Sequence, residues 1–162
     1  METLEAIRTK RAVREFAPEP VPDEIIRKIL DAGRRAQSSK NTQPWHYVVV
    51  RERERLQALA ECGRYTRHLA GAACAVFIFQ ETEWAFDIGQ TAAYLQLAAW
   101  DLGVSSCLAS IYDADCARKI LGAPAELGIQ IAISFGYAAR PPAPPRAGGR
   151  RTLDQVVHWE RW

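Results

Sequence analysis

The spacing of hydrophobic and polar positions predicts helices in the first part of the chain. Apolar residues recur at helical intervals around Leu4 and Ile7, from Asp23 to about Ala36, and from Arg51 to Ala60. Acidic side chains at the start of the second segment favour a helix there, because they complement its dipole. We therefore predict a short first helix, a second helix beginning at Asp23 and a third helix after residue 50.

Four segments have the composition of strands. Trp45–Val50 is rich in β-branched and aromatic residues, and Val104–Ala109 follows a glycine. Cys74–Phe79 is continuously apolar, which indicates a central strand covered on both sides. Ile129–Phe135 alternates large apolar residues with small or polar ones, so this strand should have one bulky face and one small face.

The longest predicted helix, Trp84–Leu102, is apolar almost all the way round and is capped by Gly103. Such a helix must be buried on every side, and a small domain rarely surrounds one completely. The pattern thus predicts contact with a second copy of the chain. A further helix runs from an N-cap at Asp113 to Leu121.

Because helices separate the strands, the class is α/β or α+β, with a single sheet covered by helices. The 162 residues, 48% of them hydrophobic, fit one domain spanning 1–162. Residues 140–146 are rich in proline and should be extended. The tail that follows contains Trp159 and Trp162, which dock either on a partner subunit, as an exchanged arm, or on the same domain.

Charge and cysteine content narrow the function classes. A formal net charge of +2 does not call for a nucleic-acid or membrane partner, and no apolar run is long enough to cross a bilayer. The start of the chain lacks the pattern of a secretory signal, so we expect a cytoplasmic protein. The four cysteines have no zinc-site spacing, predict no metal, and are interpreted as reduced, mostly buried thiols.

Two groups of basic residues lie at opposite ends of the chain: Lys10, Arg11 and Arg14, and then Arg150 and Arg151. If the fold brings them together, they can clamp a phosphate, because guanidinium groups match phosphate oxygens. Separately, each group is an ordinary solvated surface cluster. A nucleic-acid-binding interpretation lacks a basic stripe interleaved with aromatic residues.

The polar loop SSKNTQPW leads into the first strand and offers hydroxyl and amide groups at Ser38, Ser39, Asn41 and Gln43. Such groups suit the edge of a heterocycle, although a plain connection would also be polar. No hydrolase, P-loop, zinc-protease or dinucleotide motif is present, and no acid–base pair stands out. A cofactor that performs the chemistry itself would account for this.

Five segments in order resemble the nitroreductase family: KRAVREF, QSSKNTQPW, LGVSSC, ISFGYAARPP and GRRTLDQVVHW. The resemblance spans essentially the whole chain. It implies the nitroreductase-like fold, with a single mixed, mostly antiparallel sheet, and a homodimer with an exchanged C-terminal arm. It also implies FMN as the cofactor, with the flavin N5 rather than a side chain performing the chemistry.

The resemblance also assigns cofactor-binding residues. Those implied for the phosphate and part of the ring are Lys10, Arg11, Ala12 and Arg14, joined by Arg150 and Arg151. Those implied for contact with the flavin from the other subunit are Ser38, Ser39 and Asn41. The strand end that is implied to pass the N5 edge comprises Leu108, Ala109, Ser110 and Ile111.

Three positions depart from the family pattern, which has arginine at Lys10, a small hydroxyl residue at Ala12, and a Glu-Gly or Gly pair near Ser110. The segment between Phe79 and Trp84 is also short where larger members have a helical excursion. The resulting hypothesis is ping-pong hydride transfer from NAD(P)H to a nitroaromatic or quinone. Dehalogenation, flavin fragmentation and flavin binding without turnover remain alternatives.

Overall fold

The computed structural model describes residues 1–81, 84–142 and 149–162. Its helices and strands alternate as the sequence predicts. The helices are α1 Thr3–Thr9, α2 Asp23–Gly33, α3 Arg53–Leu59, α4 Ala85–Asp101 and α5 Ala114–Leu121, and the strands are β1 Trp45–Val50, β2 Cys74–Gln80, β3 Ser105–Ser110 and β4 Gly128–Gly136. Short 3₁₀ turns occur at Ser39–Asn41, Arg67–Gly71 and Leu153–Gln155.

In the described residues the strands form one antiparallel sheet in the order β1-β2-β4-β3. A single parallel bridge, between Ala12 and Ser106, adds the N-terminal segment to the edge of β3. The predicted class, one mostly antiparallel sheet flanked by helices, is therefore confirmed. The proline-rich segment predicted at 140–146 is described only as far as residue 142, so the rest of that prediction lies outside the described residues.

Strand β2 is buried on both faces of the sheet, which explains its continuous apolar run. Val76 and Ile78 pack in a core with α2 and α4, whereas Ala75, Phe77 and Phe79 pack in a second core with α3 and α5. Two helix layers thus cover the sheet. The predicted central strand is correct.

Strand β4 differs from its prediction at one point. Ile133 and Phe135 face the α2/α4 core as expected, but Ile129 packs in the opposite core. The pairing shifts register between Ile78 and Phe79, where β4 carries an extra residue. A bulge of this kind reverses the faces beyond it, so the four large residues do not share one face.

Helix α4 packs closely on α2, where the Thr91 hydroxyl donates to the Gly33 carbonyl at 2.9 Å. A Cβ atom at Gly33 would overlap the side chain of Leu95, so this contact needs glycine. The opposite side of α4 is not buried within one chain: Phe86 is 65% exposed and Tyr94 is 39% exposed. The single chain therefore leaves one face of α4 exposed, and the predicted contact of this face with a second copy stays a prediction.

Candidate active site

The segment that contains the N-terminal basic residues is hydrogen-bonded to β3 and to the residue after β4. Val13 donates its backbone N–H to the Ser106 carbonyl at 3.0 Å, and Ala17 donates to the Tyr137 carbonyl at 2.8 Å. Phe16 covers Gly136, where a Cβ atom would lie 2.8 Å from the Phe16 ring. These contacts fix the backbone of residues 12–17 across the end of β3 and β4.

Burial raises the pKa of the Cys107 thiol on β3, and the charges of Arg14 and Lys10 oppose that rise. Partial burial also lowers the pKa of Lys10. Arg11, by contrast, donates to the carbonyls of Arg8 and Lys10, both at 2.9 Å, at the end of α1. Among the described residues neither the Lys10 nor the Arg14 side chain has a hydrogen bond or ion pair, so both are available to a ligand, whereas Arg11 caps a helix.

Strand β3 has an open edge beyond Ser106. Ile111 donates its backbone N–H to the Gln130 carbonyl. In the antiparallel register, Ala109 and Cys107, two and four positions earlier, direct their backbone groups toward β4 in the same way. Because inward and outward backbone groups alternate in such a ladder, those of Leu108 and Ser110 point away from β4. The side chains of Ala109 and Ile111 are buried in the α3/α5 core and their backbone N–H groups face β4, so Leu108 and Ser110 are the two residues of this strand end that can reach a ligand.

The loop before β1 is shaped by its own hydrogen bonds and by one buried carboxylate. Ser39 donates its backbone N–H to Oδ2 of Asp87 on α4 at 3.0 Å, and Gln43 donates its backbone N–H to the Ser38 hydroxyl at 2.9 Å. Lys40, Asn41 and Gln43 adopt positive φ angles. In the described residues, no hydrogen bond or ion pair joins this loop to Lys10 or Arg14 of the same chain.

The late basic pair, Arg150 and Arg151, lies exposed on the surface, and their proximity to Arg14 stays a prediction. In the tail, Trp159 is 82% exposed and Trp162 is 99% exposed, with the Trp162 ring stacked on His158 at 4.2 Å. Docking of the two tryptophans on their own domain is therefore wrong.

A cleft of about 500 Å³ opens beside Leu108 and Arg14. Its other walls come from the segment between α3 and β2, and they comprise Arg64, Tyr65, Arg67 and His68. The sequence analysis did not select these four residues. The run RYTRH, which places four cationic or titratable side chains within five positions, was the available signal.

His68 is the buried polar group of this cleft, with 8% of its surface exposed. Its Nδ1 lies 2.8 Å from the Ser134 hydroxyl, whereas its Nε2 faces the backbone of Leu108 without a hydrogen bond of normal geometry in the described structure. Burial, together with the charge of Arg14, holds the pKa of His68 below its usual range. The ring is therefore neutral at neutral pH.

The prediction of four reduced thiols is wrong for two of the cysteines. Cys62, after α3, and Cys116, on α5, form a disulfide with Cα atoms 5.6 Å apart, while Cys74 and Cys107 are free and buried. The two partners are 54 residues apart. Their pairing depends on the α3/α5 packing, which spacing along the chain does not reveal.

In the described ranges, no helix is long and apolar enough to cross a membrane, and no group of His, Cys, Asp or Glu could hold a metal ion. The sheet order and the flanking helices define an α+β fold with a basic segment at one strand edge.

Comparison with known proteins gives the family. The model of the nitroreductase family matches residues 7–72 and 60–137. A protein of Archaeoglobus fulgidus, provisionally named NADH dehydrogenase/NAD(P)H nitroreductase, is 30% identical over 99% of both chains. The chain belongs to the nitroreductase family.

Solved structures agree with this assignment. An FMN-dependent nitroreductase from Clostridium difficile R20291 superimposes with a TM-score of 0.89 at 26% identity, covering 98% of this chain and 99% of the other. A provisionally named nitroreductase from Desulfovibrio desulfuricans, solved in complex with FMN, gives 0.87 at 28% identity, covering 100% and 98%.

Proposed function

We propose that this chain is an FMN-dependent oxidoreductase that transfers hydride from NAD(P)H to a planar, electron-poor acceptor such as a nitroaromatic or quinone. The observation that carries the proposal is the position of Arg14, which lines one cleft with Leu108, next to the outward backbone groups of Leu108 and Ser110. The family membership of the chain and the FMN-dependent relatives support the same cofactor.

The cations and backbone groups at the edge of β3 fit FMN. Two cations that have no carboxylate partner in the described residues suit a phosphate or an electron-rich ring edge. The outward N–H and C=O groups of Leu108 and Ser110 suit the polar edge of a flat heterocycle. We propose that Arg150 and Arg151 complete the phosphate site, and that Ser38, Ser39 and Asn41 contribute from a partner subunit.

When bound, FMN supplies the two-electron chemistry, and the protein supplies position and electrostatics. Lys10 and Arg14 favour negative charge at the β3 edge, where the cofactor gains electrons. We propose that NAD(P)H and the acceptor use the same face of the cofactor in turn, so that NAD(P)H leaves before the acceptor enters, which is a ping-pong order. For a nitro group the balance is NAD(P)H + H⁺ + ArNO₂ → NAD(P)⁺ + ArNO + H₂O.

A homodimer is part of the proposal. The exposed face of α4 carries Phe86 and Tyr94, and the tail carries two exposed tryptophans. Apolar surface of this kind is typical of a protein interface. We expect light scattering to give twice the chain mass, and Phe86→Glu to shift the protein toward monomer. A wild-type monomer would refute the dimer and the shared site together.

The cofactor is tested by adding FMN to purified protein, then adding NADH or NADPH without oxygen. We expect a bound-flavin spectrum that bleaches with the nicotinamide and recovers with a nitroaromatic, with parallel double-reciprocal plots. Arg14→Gln should weaken FMN binding by roughly tenfold or more, because a charge-assisted contact is lost. Arg53→Gln, on the exposed start of α3, is the matched control.

Each other outcome has a distinct meaning. A protein that never binds FMN contradicts the proposal. A protein that binds FMN but is not bleached by NADH or NADPH is a flavin-binding protein without turnover. Bleaching with recovery only on halogenated aromatics would indicate reductive dehalogenation instead of nitro reduction.

A further inference from the structure

The Cys62–Cys116 disulfide ties helix α5 to the α3–β2 segment, which comprises residues 60–73. Beside the bond, Asp113 donates its backbone N–H to the Cys62 carbonyl at 3.1 Å. Asp113 also caps α5, because its carboxylate accepts the backbone N–H of Cys116 at 2.9 Å. The three residues therefore form one junction between the segment and the helix, with the disulfide as its covalent link.

Directly after this bond, the α3–β2 segment packs against the edge of β3. A Cβ atom at Gly63 would lie 2.7 Å from the Ser110 carbonyl oxygen, so the two backbones are in close contact. The buried Thr66 hydroxyl lies 2.7 Å from both the Ala60 and the Gly63 carbonyl oxygens, which holds the turn compact. Because Gly63 is the neighbour of Cys62, a movement of Cys62 reaches the strand edge through a single residue.

The same segment places His68 against a second point of the β3 edge. The His68 Nδ1 lies 2.8 Å from the Ser134 hydroxyl, and the ring faces the backbone of Leu108. The segment thus contacts the edge at Leu108 and at Ser110, the two residues whose outward backbone groups the proposed function gives to the cofactor. The position of the segment therefore determines how much of that edge is open.

The two cysteines differ in exposure, which sets the direction of attack on the bond. Cys62 is fully buried, whereas Cys116 is half-buried. In thiol–disulfide exchange, a thiolate attacks one sulfur and displaces the other. The attack therefore comes from the Cys116 side, and the sulfur that it displaces is that of Cys62, next to Gly63.

The surroundings of the bond carry negative charge. A cavity of about 520 Å³ beside Cys62 is lined by Glu61, Asp113 and Asp115, with no lysine or arginine among its described lining residues. The attacking thiolate is itself an anion, so a reductant with an additional carboxylate is repelled. An uncharged dithiol is the class of reductant that suits this site.

We propose that the Cys62–Cys116 bond is a redox switch that sets the affinity of the protein for FMN. In the oxidised form the α3–β2 segment is tethered against β3; reduction releases Cys62, the segment withdraws from Ser110 and Leu108, and FMN binds more weakly. The exchange is protein–S₂ + R(SH)₂ → protein–(SH)₂ + RS₂, in which the dithiol is oxidised and its two protons pass to the cysteines. The inference rests on the proposed function, which gives FMN this strand edge, and adds its regulation.

The test titrates FMN into the oxidised protein and into protein reduced with dithiothreitol, while circular dichroism checks that both are folded. We expect the dissociation constant to rise by about fivefold or more on reduction, and saturating FMN to lower the equilibrium constant of reduction by the same factor. Thiol titration in mixtures of reduced and oxidised dithiothreitol measures that second quantity without turnover. Per thiolate, 2-mercaptoethanol should reduce the bond faster than 3-mercaptopropionate.

Two variants separate the switch from a general loss of stability. Gly63→Ala keeps the disulfide but forces the segment away from the Ser110 carbonyl, so its oxidised form should bind FMN as weakly as the reduced wild type. Val21→Ala is the matched control, because it removes buried methyl groups from the α2/α4 core on the other face of the sheet. It should unfold at lower urea concentration, yet keep the wild-type affinity for FMN and the full response to dithiothreitol.

Equal FMN affinity in the folded oxidised and reduced proteins would overturn the inference, as would a loss of affinity in Val21→Ala as large as that on reduction. If reduction unfolds the chain, the oxidised Gly63→Ala protein decides, and wild-type affinity there overturns the switch. Faster reduction by 3-mercaptopropionate would overturn the assigned class of reductant. A protein that binds no FMN in either form fails the proposed function, whereas one that binds it equally in both fails only this inference.

Discussion

Breaking the Cys62–Cys116 disulfide should cost a large part of the stability of the fold. The bond closes a loop of 54 residues that includes β2, α4 and β3. In the chain-entropy treatment, a loop of this length restricts the unfolded chain by about 4 kcal/mol. We expect reduction, or the double substitution Cys62→Ala and Cys116→Ala, to lower the free energy of unfolding by about 2–4 kcal/mol.

Urea denaturation with and without dithiothreitol measures this effect. With a slope of about 2 kcal/mol per molar, the midpoint should fall by roughly 1–2 M, and the reductant should not affect the double variant. Thiol titration of unfolded protein prepared without reductant should find the two free cysteines, and four after reduction. Four thiols before reduction, or an unchanged midpoint, would refute the reasoning.

Three further changes test contacts around the site. Asp87→Ala removes the acceptor of the Ser39 N–H, so urea unfolding should show a loss of about 1–3 kcal/mol and FMN titration a weaker affinity. Gly136→Ala should displace Phe16 and cost about 1–3 kcal/mol in the same unfolding assay. Burial raises the pKa of Tyr47 from 10.0 to about 12, so stability should fall as pH rises between these values, and less steeply in Tyr47→Phe.

The disulfide also bears on the expected compartment. Disulfides persist mainly in oxidising surroundings and are rare in the cytosol of mesophiles. Protein prepared under reducing and under oxidising conditions should therefore differ in thiol count and in urea midpoint. The oxidised form is the one that the structure describes.

The local pattern of apolar and polar residues was sufficient to predict the helices and strands. The apolar run of β2 indicated burial on both faces, and the bounds predicted for α4 differ from the observed ones by one residue at each end. Strand order, the bulge opposite Ile78 and the Cys62–Cys116 pairing were not predictable in this way, because each depends on contacts between segments far apart in the chain. The periodicity of apolar residues indicates only the local element and the face of it on which a residue lies.

The candidate site also has residues that the sequence indicated and residues that only the fold brings to it. The resemblance indicated Lys10, Arg14 and Leu108, which the structure brings to one region of β3. It did not indicate Arg64 or His68, because an exposed arginine and a lone histidine carry no local signature of function. These residues become informative only when the fold turns them toward a common cleft.

The position of the site follows from the sheet itself. The central strands β2 and β4 use their backbone groups on both sides, so neither can offer them to a ligand. Strand β3 lies at an edge, and residues 12–17 cover it only at Ser106. Beyond Ser106, Gly63 lies against the Ser110 carbonyl and His68 faces the backbone of Leu108, so the segment after α3 covers part of this edge. A flat cofactor bound there, as proposed, would cover the backbone groups of the edge that this segment leaves open, so cofactor binding would also protect the strand edge.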